Sequence, residues 1–190
     1  MTNNKKIILG FVGPIAAGKG TACQYLKEKY GANTYRFSSI LRDIVDRLYL
    51  PQSRENLQKI SSVLRQNFGD DLLALAIAKD VAADNGVIVA VDGVRRMPDI
   101  KYLQKIPGFY LIYVDTDQKN RYERIIKRGE NTDDNKKTFA QFQEDEKQES
   151  EQQIQEVAKS AKFILDNNGS PEDTRQGIEK IIKKINDLKD

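Results

Sequence analysis

Histidine is absent from all 190 residues, which removes the commonest general acid or base and leaves any catalysis to carboxylates, lysines, arginines and a metal ion. Cysteine is almost absent too. Cys23 stands alone as a small packing residue, so no internal disulfide can form and no Cys/His cluster is available for a structural zinc; a reducing cytoplasm is the expected setting. Long hydrophobic runs are missing: no stretch approaches the roughly 20 apolar residues needed to span a bilayer. The apolar run after Lys5 and Lys6 breaks at Gly13-Pro14 and reads as a buried strand, not a cleaved leader. A large excess of either charge sign is also lacking, because 31 basic and 28 acidic side chains leave a net +3, too balanced for a surface that coats nucleic acid. Neither nucleic acid nor a membrane is therefore an expected partner. There is no Pro- or Ser-rich linker and no internal repeat, and the length suits one well-cored domain with a small insertion.

What is present is alternation. Five short apolar or β-rich runs, at residues 7–12, 33–37, 87–91, 109–114 and 162–165, recur between helical stretches. Runs such as VIVAV are apolar without a polar face, which suits strands covered on both sides. The expected fold is a three-layer α/β/α sandwich around a five-stranded parallel sheet. Between the second and third runs lie about fifty residues of helical spacing, interrupted at Pro51, with a helix start at Ser53 and a boundary at Gly69-Asp70-Asp71. Three helices exceed what a crossover needs, and residues 38–85 are read as a small subdomain that closes over a second substrate. Residues 136–160, rich in glutamine and charge, read as a solvated helix.

The residues Gly13-Pro14-Ile15-Ala16-Ala17-Gly18-Lys19-Gly20-Thr21 follow the first strand directly and have the makings of a phosphate cradle. Glycines let successive backbone N–H groups turn round an anion, and the helix that follows aims its positive end at the same point. Lys19 adds a full charge for β- and γ-phosphates. The usual pattern places Ser or Thr directly after the lysine; here Gly20 intervenes and Thr21 brings the hydroxyl. Gly13, Ala16, Ala17, Gly18, Lys19, Gly20 and Thr21 are thus the expected nucleotide site.

Other groups converge on it. Asp92 ends the third apolar run at the carboxyl edge of the sheet, where open α/β sheets bind ligands, and is expected to orient Mg²⁺ together with Thr21. Arg95 and Arg96 emerge just beyond, with the fork geometry that suits phosphate. Arg121, Arg124 and Arg128 fall at i, i+3 and i+7, so one helix face carries three guanidiniums toward Gly129. Phosphoryl transfer needs positioning and charge neutralisation more than a base, which suits a chain without histidine. Lys19, Asp92, Arg95 and Arg128 form the expected catalytic set, Arg124 joins the nucleotide site, and ATP with Mg²⁺ are the expected cofactors.

With those residues in place the chain resembles the nucleoside monophosphate kinases, adenylate kinases and their relatives, among the P-loop kinases. The resemblance covers most of the chain and rests on GPIAAGKGT, on FSSILRD (37–43), on VDGVRR (91–96) and on RYERIIKRGENTDDN (121–135). It implies one P-loop kinase domain over residues 1–190, with an acceptor-binding helical subdomain at 38–85 and a reduced lid at 128–147. It also implies that Ser38 or Ser39 and Arg42 hold the acceptor nucleotide, and that Arg95 or its neighbour Arg96 holds the acceptor phosphate. In place of the family's DGFPR motif this chain has DGVRR, and the lid's arginines give way to QFQEDEKQES, leaving Lys136, Lys137 and Lys147. The reaction so implied is transfer from ATP to a nucleoside or deoxynucleoside monophosphate, a small-molecule acceptor, by a monomer or homodimer.

Two alternatives stand beside it. Residues 161–174 are similar to dephospho-CoA kinases, in which the backbone after the last strand borders the donor adenine; this implies Asn168, Gly169 and Ser170 as adenine neighbours. A ribose hydroxyl would then attack, with Asp43 or Asp92 as base. The other alternative is a nucleotide-binding regulator that senses ATP without phosphorylating a small acceptor.

Overall fold

A computed structural model describes residues 6–128, 138–146 and 149–188. In chain order these form β1 (Ile7–Val12), α1 (Lys19–Tyr30), β2 (Asn33–Arg36), α2 (Phe37–Arg47), α3 (Arg54–Phe68), α4 (Leu72–Ala83), β3 (Ile88–Val94), the short α5 (Met97–Ile100), β4 (Phe109–Asp115), α6 (Gln118–Arg128), α7 (Phe139–Asp145), α8 (Glu149–Ala158), β5 (Phe163–Asp166) and α9 (Pro171–Asp187). Every strand pairing is parallel and the order across the sheet is β2-β3-β1-β4-β5. The chain leaves β1 toward one edge and later crosses to β4 on the other side. That reversal opens a crevice at the carboxyl end of β1, the usual ligand position in such sheets.

Successive side chains of a strand face opposite ways, and both faces are buried here. Ile7, Leu9 and Phe11 of β1 pack with Ala22, Cys23 and Leu26 of α1 and with Ile178, Ile181, Ile182 and Ile185 of α9. Ile8 and Val12 face the other layer, with Phe37 and Leu41 of α2, Leu73, Ile77 and Val81 of α4, and Ile154 and Val157 of α8. The three-layer α/β/α sandwich with five parallel strands is therefore the observed fold.

The long excursion before β3 holds the three helices α2, α3 and α4. Ser53 caps α3 by accepting from the Asn56 amide at 3.2 Å. The end of α2 is less ordinary. The Tyr49 amide donates to Asp46 and the Leu50 amide to Val45, both at 3.0 Å, which is the Schellman closure; the residue in the left-handed position, φ 56°, is a tyrosine. The segment 136–160 departs from the solvated helix expected of it: α7 and α8 are separate, and Phe142, Ile154 and Val157 are fully buried anchors. Three large apolar side chains suffice to dock two short helices, although one in α7 and two in α8 are too few to register as an amphipathic stripe. Of the expected lid, residues 129–137 and 147 lie outside the described residues, as does the side chain of Arg128.

Candidate functional site

The loop from Gly13 to Gly18 is shaped by its neighbours. A Cβ at Gly13 would sit 2.7 Å from the Val114 carbonyl oxygen, so only glycine lets the loop pass β4 this closely. Gly18, φ 97°, precedes α1 with no side-chain cap, and the first turn of α1 holds no acidic residue. The amides of Lys19, Gly20 and Thr21 stand in the first turn of α1, where a helix has donors without intrahelical acceptors and the positive end of its dipole. Lys19 reaches back across the loop, its Nζ donating to the carbonyl oxygens of Gly13 at 2.6 Å and Pro14 at 2.8 Å. Phosphate oxygens are stronger acceptors for an ammonium than neutral carbonyls are.

The opposite wall comes from β4, β5 and α6. The Ala17 carbonyl accepts from Asn167 Nδ2 at 2.6 Å and from the Thr116 hydroxyl at 3.0 Å. Arg124 donates to the Asn167 carbonyl at 2.8 Å, and its Nη1 is buried without a partner among the described residues, 3.7 Å from where a Cβ on Gly18 would be. Burial lowers the Arg124 pKa from its ordinary value. A partnerless guanidinium nitrogen beside an uncapped helix start is what a nucleotide phosphate would satisfy, so the loop fits that ligand. Arg121 is spent otherwise: it is buried, pairs with Glu146, lies over the Phe142 ring, and donates to the carbonyls of Thr116 and Ile15. Asn168 accepts from the Asp117 amide at 2.7 Å, and Gly169 lies against the Asp173 carboxylate. Both belong to the turn that carries Asn167, which the sequence reading passed over for its neighbour.

Asp92 lies at the carboxyl end of β3 and is 7% exposed. Its Oδ2 accepts from Arg36 Nε and pairs with Arg36 Nη2, each at 2.9 Å. Both residues share the α1 face with Cys23, whose thiol is pushed far up by burial and then by the Asp92 charge. Thr21 is exposed, one residue beyond Gly20. A carboxylate and a hydroxyl are hard oxygen donors, suited to a Mg²⁺ that keeps most of its waters. Arg36 is a site residue the sequence reading missed, since its only signal is strand register.

On the acceptor side Ser38 and Ser39 open α2, Ser38 half-buried and Ser39 exposed. Arg42 donates to Gln52 at 2.9 Å and so ties α2 to the turn before α3. The two arginines after β3 differ. Arg96 donates to the Asp70 carboxylate at 2.8 Å and contacts Asp99, whereas the Arg95 side chain is exposed and only its amide is held, by Asp99 at 3.0 Å. Arg65 of α3, also unforeseen, completes a cluster. Its Nε is buried without a partner among the described residues, and burial, then the Arg96 charge, lowers its pKa.

A parallel sheet with this strand order and loop defines a P-loop kinase-like fold. A family model named AAA_17, an AAA domain, matches residues 12–140, and the chain belongs to that family. Among curated proteins, a UPF0200 protein of Sulfurisphaera tokodaii is 29% identical over 180 residues, covering 94% of this chain and 97% of its own. A UPF0200/UPF0201 protein of Archaeoglobus fulgidus is 28% identical over 183 residues; the chain spans only about half of it, 55%. Among solved structures, a shikimate kinase of Acinetobacter baumannii in complex with shikimate shares the fold with a TM-score of 0.59 at 14% identity, over 98% of this chain and 96% of that one. A protein of Eubacterium ventriosum superposes with a TM-score of 0.61 at 13% identity, over 95% and 99% of the two chains. Among the described residues no helix is long and apolar enough to cross a membrane.

Proposed function

We propose that the protein transfers the γ-phosphoryl group of ATP to a small anionic acceptor, a nucleoside or deoxynucleoside monophosphate. The observation that carries the reading is Arg124 Nη1, buried without a partner among the described residues beside the uncapped start of α1, a donor suited to phosphate. Charge supports the acceptor class: Arg65, Arg95 and Arg96 are set against Asp70 and Asp99, so a cation is left over. Lys19 would draw the nucleotide phosphates onto the loop while Arg95, exposed at the strand exit, holds the acceptor. An acceptor phosphate oxygen then attacks the γ-phosphorus, the bond to the β–γ bridging oxygen breaks, and its electron pair leaves on ADP. Bound Mg²⁺ would supply charge neutralisation along the phosphates, with Asp92 and Thr21 as its protein ligands.

No base is required, because an acceptor phosphate is already ionised at neutral pH. That agrees with Asp92, whose Oδ2 is engaged by Arg36 and so is poorly placed to take a proton from a ribose hydroxyl. Asp43, exposed on α2, is the other carboxylate a hydroxyl acceptor would call on. Coupled ADP release across a panel of nucleoside monophosphates, their deoxy forms and dephospho-CoA tests the proposal. ADP formation that never exceeds ATP hydrolysis alone would sink it, and turnover confined to dephospho-CoA and abolished by Asp43→Asn would replace it.

A further inference from the structure

Arg36 occupies one oxygen, Oδ2, of the carboxylate on which the proposed metal would depend. Strand register sets the contact, since Arg36 and Asp92 are Cα partners at the carboxyl ends of β2 and β3. The Asp92 side chain is 10% exposed and the Arg36 side chain 47%, so the carboxylate is fixed in the site while the guanidinium has solvent to move into. A nearly buried carboxylate without a cation would be costly, and Arg36 meets that need when no metal is present.

The P-loop is matched to this arrangement. A Cβ on residue 20 would lie 3.4 Å from Arg36 Nη2 and 3.8 Å from Asp92 Oδ2. In the usual loop that carbon carries a hydroxyl. The carbon itself would stand at ordinary contact distance; glycine omits the hydroxyl that would extend from it beside the guanidinium. Two sequence features with no evident connection, Gly20 in the loop and Arg36 at the end of β2, are therefore one local solution to holding Asp92.

We propose that Arg36 is a positioning residue that acts through Asp92. It holds the carboxylate in place before nucleotide arrives, and Asp92 must exchange the guanidinium for Mg²⁺ as the MgATP complex forms. The chain thereby disfavours free divalent metal, and its metal requirement is set by competition with its own arginine. The inference rests on the phosphotransfer reading above.

Titration of Mn²⁺ into the ATP-saturated protein, followed by electron paramagnetic resonance, measures the competition directly. Arg36→Gln should lower the Mn²⁺ midpoint about two- to fivefold, the range that a half-exposed ion pair provides. Asp92→Asn should raise the midpoint, and adding Arg36→Gln to it should change nothing further. Arg36→Lys, which keeps the charge without the fork, should fall between wild type and Arg36→Gln, and it carries the same comparison should the glutamine variant unfold on heating at a much lower temperature. An unchanged midpoint in both Arg36 variants, or an equal Arg36 effect in the Asp92→Asn background, overturns the inference. If those outcomes appear while ATP still binds and acceptors are still phosphorylated, the Arg36 inference alone falls. Failure of the wild-type chain to bind ATP with or without metal removes both.

Discussion

Asn167 holds Ala17: the side-chain amide of the residue after β5 donates at 2.6 Å to a carbonyl in the middle of the phosphate loop. The same asparagine accepts on Oδ1 from Thr174 of α9, so the loop is coupled to the last helix through one buried side chain. Asn167→Ala leaves the Thr174 hydroxyl with only the longer bond to the Ser170 carbonyl, 3.3 Å, and the Ala17 carbonyl with Thr116 alone. The cost should be about 1–3 kcal/mol of stability, the usual result of orphaning buried polar groups. Urea unfolding checks the stability, and an ATP titration should show weaker binding because Gly18 loses the group it packs against.

Arg95 and Arg96 should separate cleanly. Arg96→Ala leaves Asp70 and the buried Asp99 short of a partner and should lower stability by about 1–3 kcal/mol. Arg95→Ala removes an exposed side chain and should move stability by no more than about 0.5 kcal/mol. Its effect should appear in the acceptor KM. Thermal melts beside steady-state kinetics of both variants decide the assignment, and the reverse pattern would move the acceptor contact to Arg96.

Tyr49 sits in a left-handed position that favours glycine, closing α2 while the residue is 88% exposed. Tyr49→Gly should therefore stabilise the protein by about 0.5–1 kcal/mol, the strain relieved exceeding the entropy glycine adds to the unfolded chain. A drop in melting temperature would mean that the ring makes contacts worth more than the strain.

Asp84 joins the end of α4 to the edge strand β2. Burial acts to raise its carboxyl, but donors from Tyr35 at 2.7 Å, the Gly86 amide at 2.6 Å and Asn33 at 2.8 Å outweigh that, helped by the Lys6 charge, and hold it below its ordinary value of 3.8. The partner phenol is pushed up to about 12 by the same bond. A depressed carboxyl contributes stability above its unfolded value and loses it as pH falls through the folded one. Asp84→Asn should cost about 1 kcal/mol at neutral pH, and the gap should close below about pH 4. Unfolding midpoints of both proteins across that range provide the check.

Much of this was legible in the chain because the relevant signals are local. Residues 7–12 followed by Gly13 to Thr21 state strand, turn and helix start in consecutive letters, and Ser53 announces α3 by its own side chain. What was not legible depends on partners distant in sequence. Arg36 acquires meaning only when β2 and β3 align in register, Asn167 only when the last strand is laid beside the loop, and Arg65 only when α3 folds toward the exit of β3. The docking of 138–158 was missed for a different reason: Phe142 stands in one helix and the pair Ile154 and Val157 in the next, too few positions in either to register as a stripe, yet each is wholly buried.

The place of β1 at the centre of the sheet also fixes how the loop responds to ligand. Its amides are bonded between β3 and β4 and should exchange with solvent deuterium only when the whole domain unfolds. The wall facing the loop belongs to β5, a four-residue strand at the sheet's edge, and to the turn behind it. ATP would thus press an immobile stem against a yielding wall. The isotope record of binding should be written in residues 165–170, with 8–12 as silent before the nucleotide as after it.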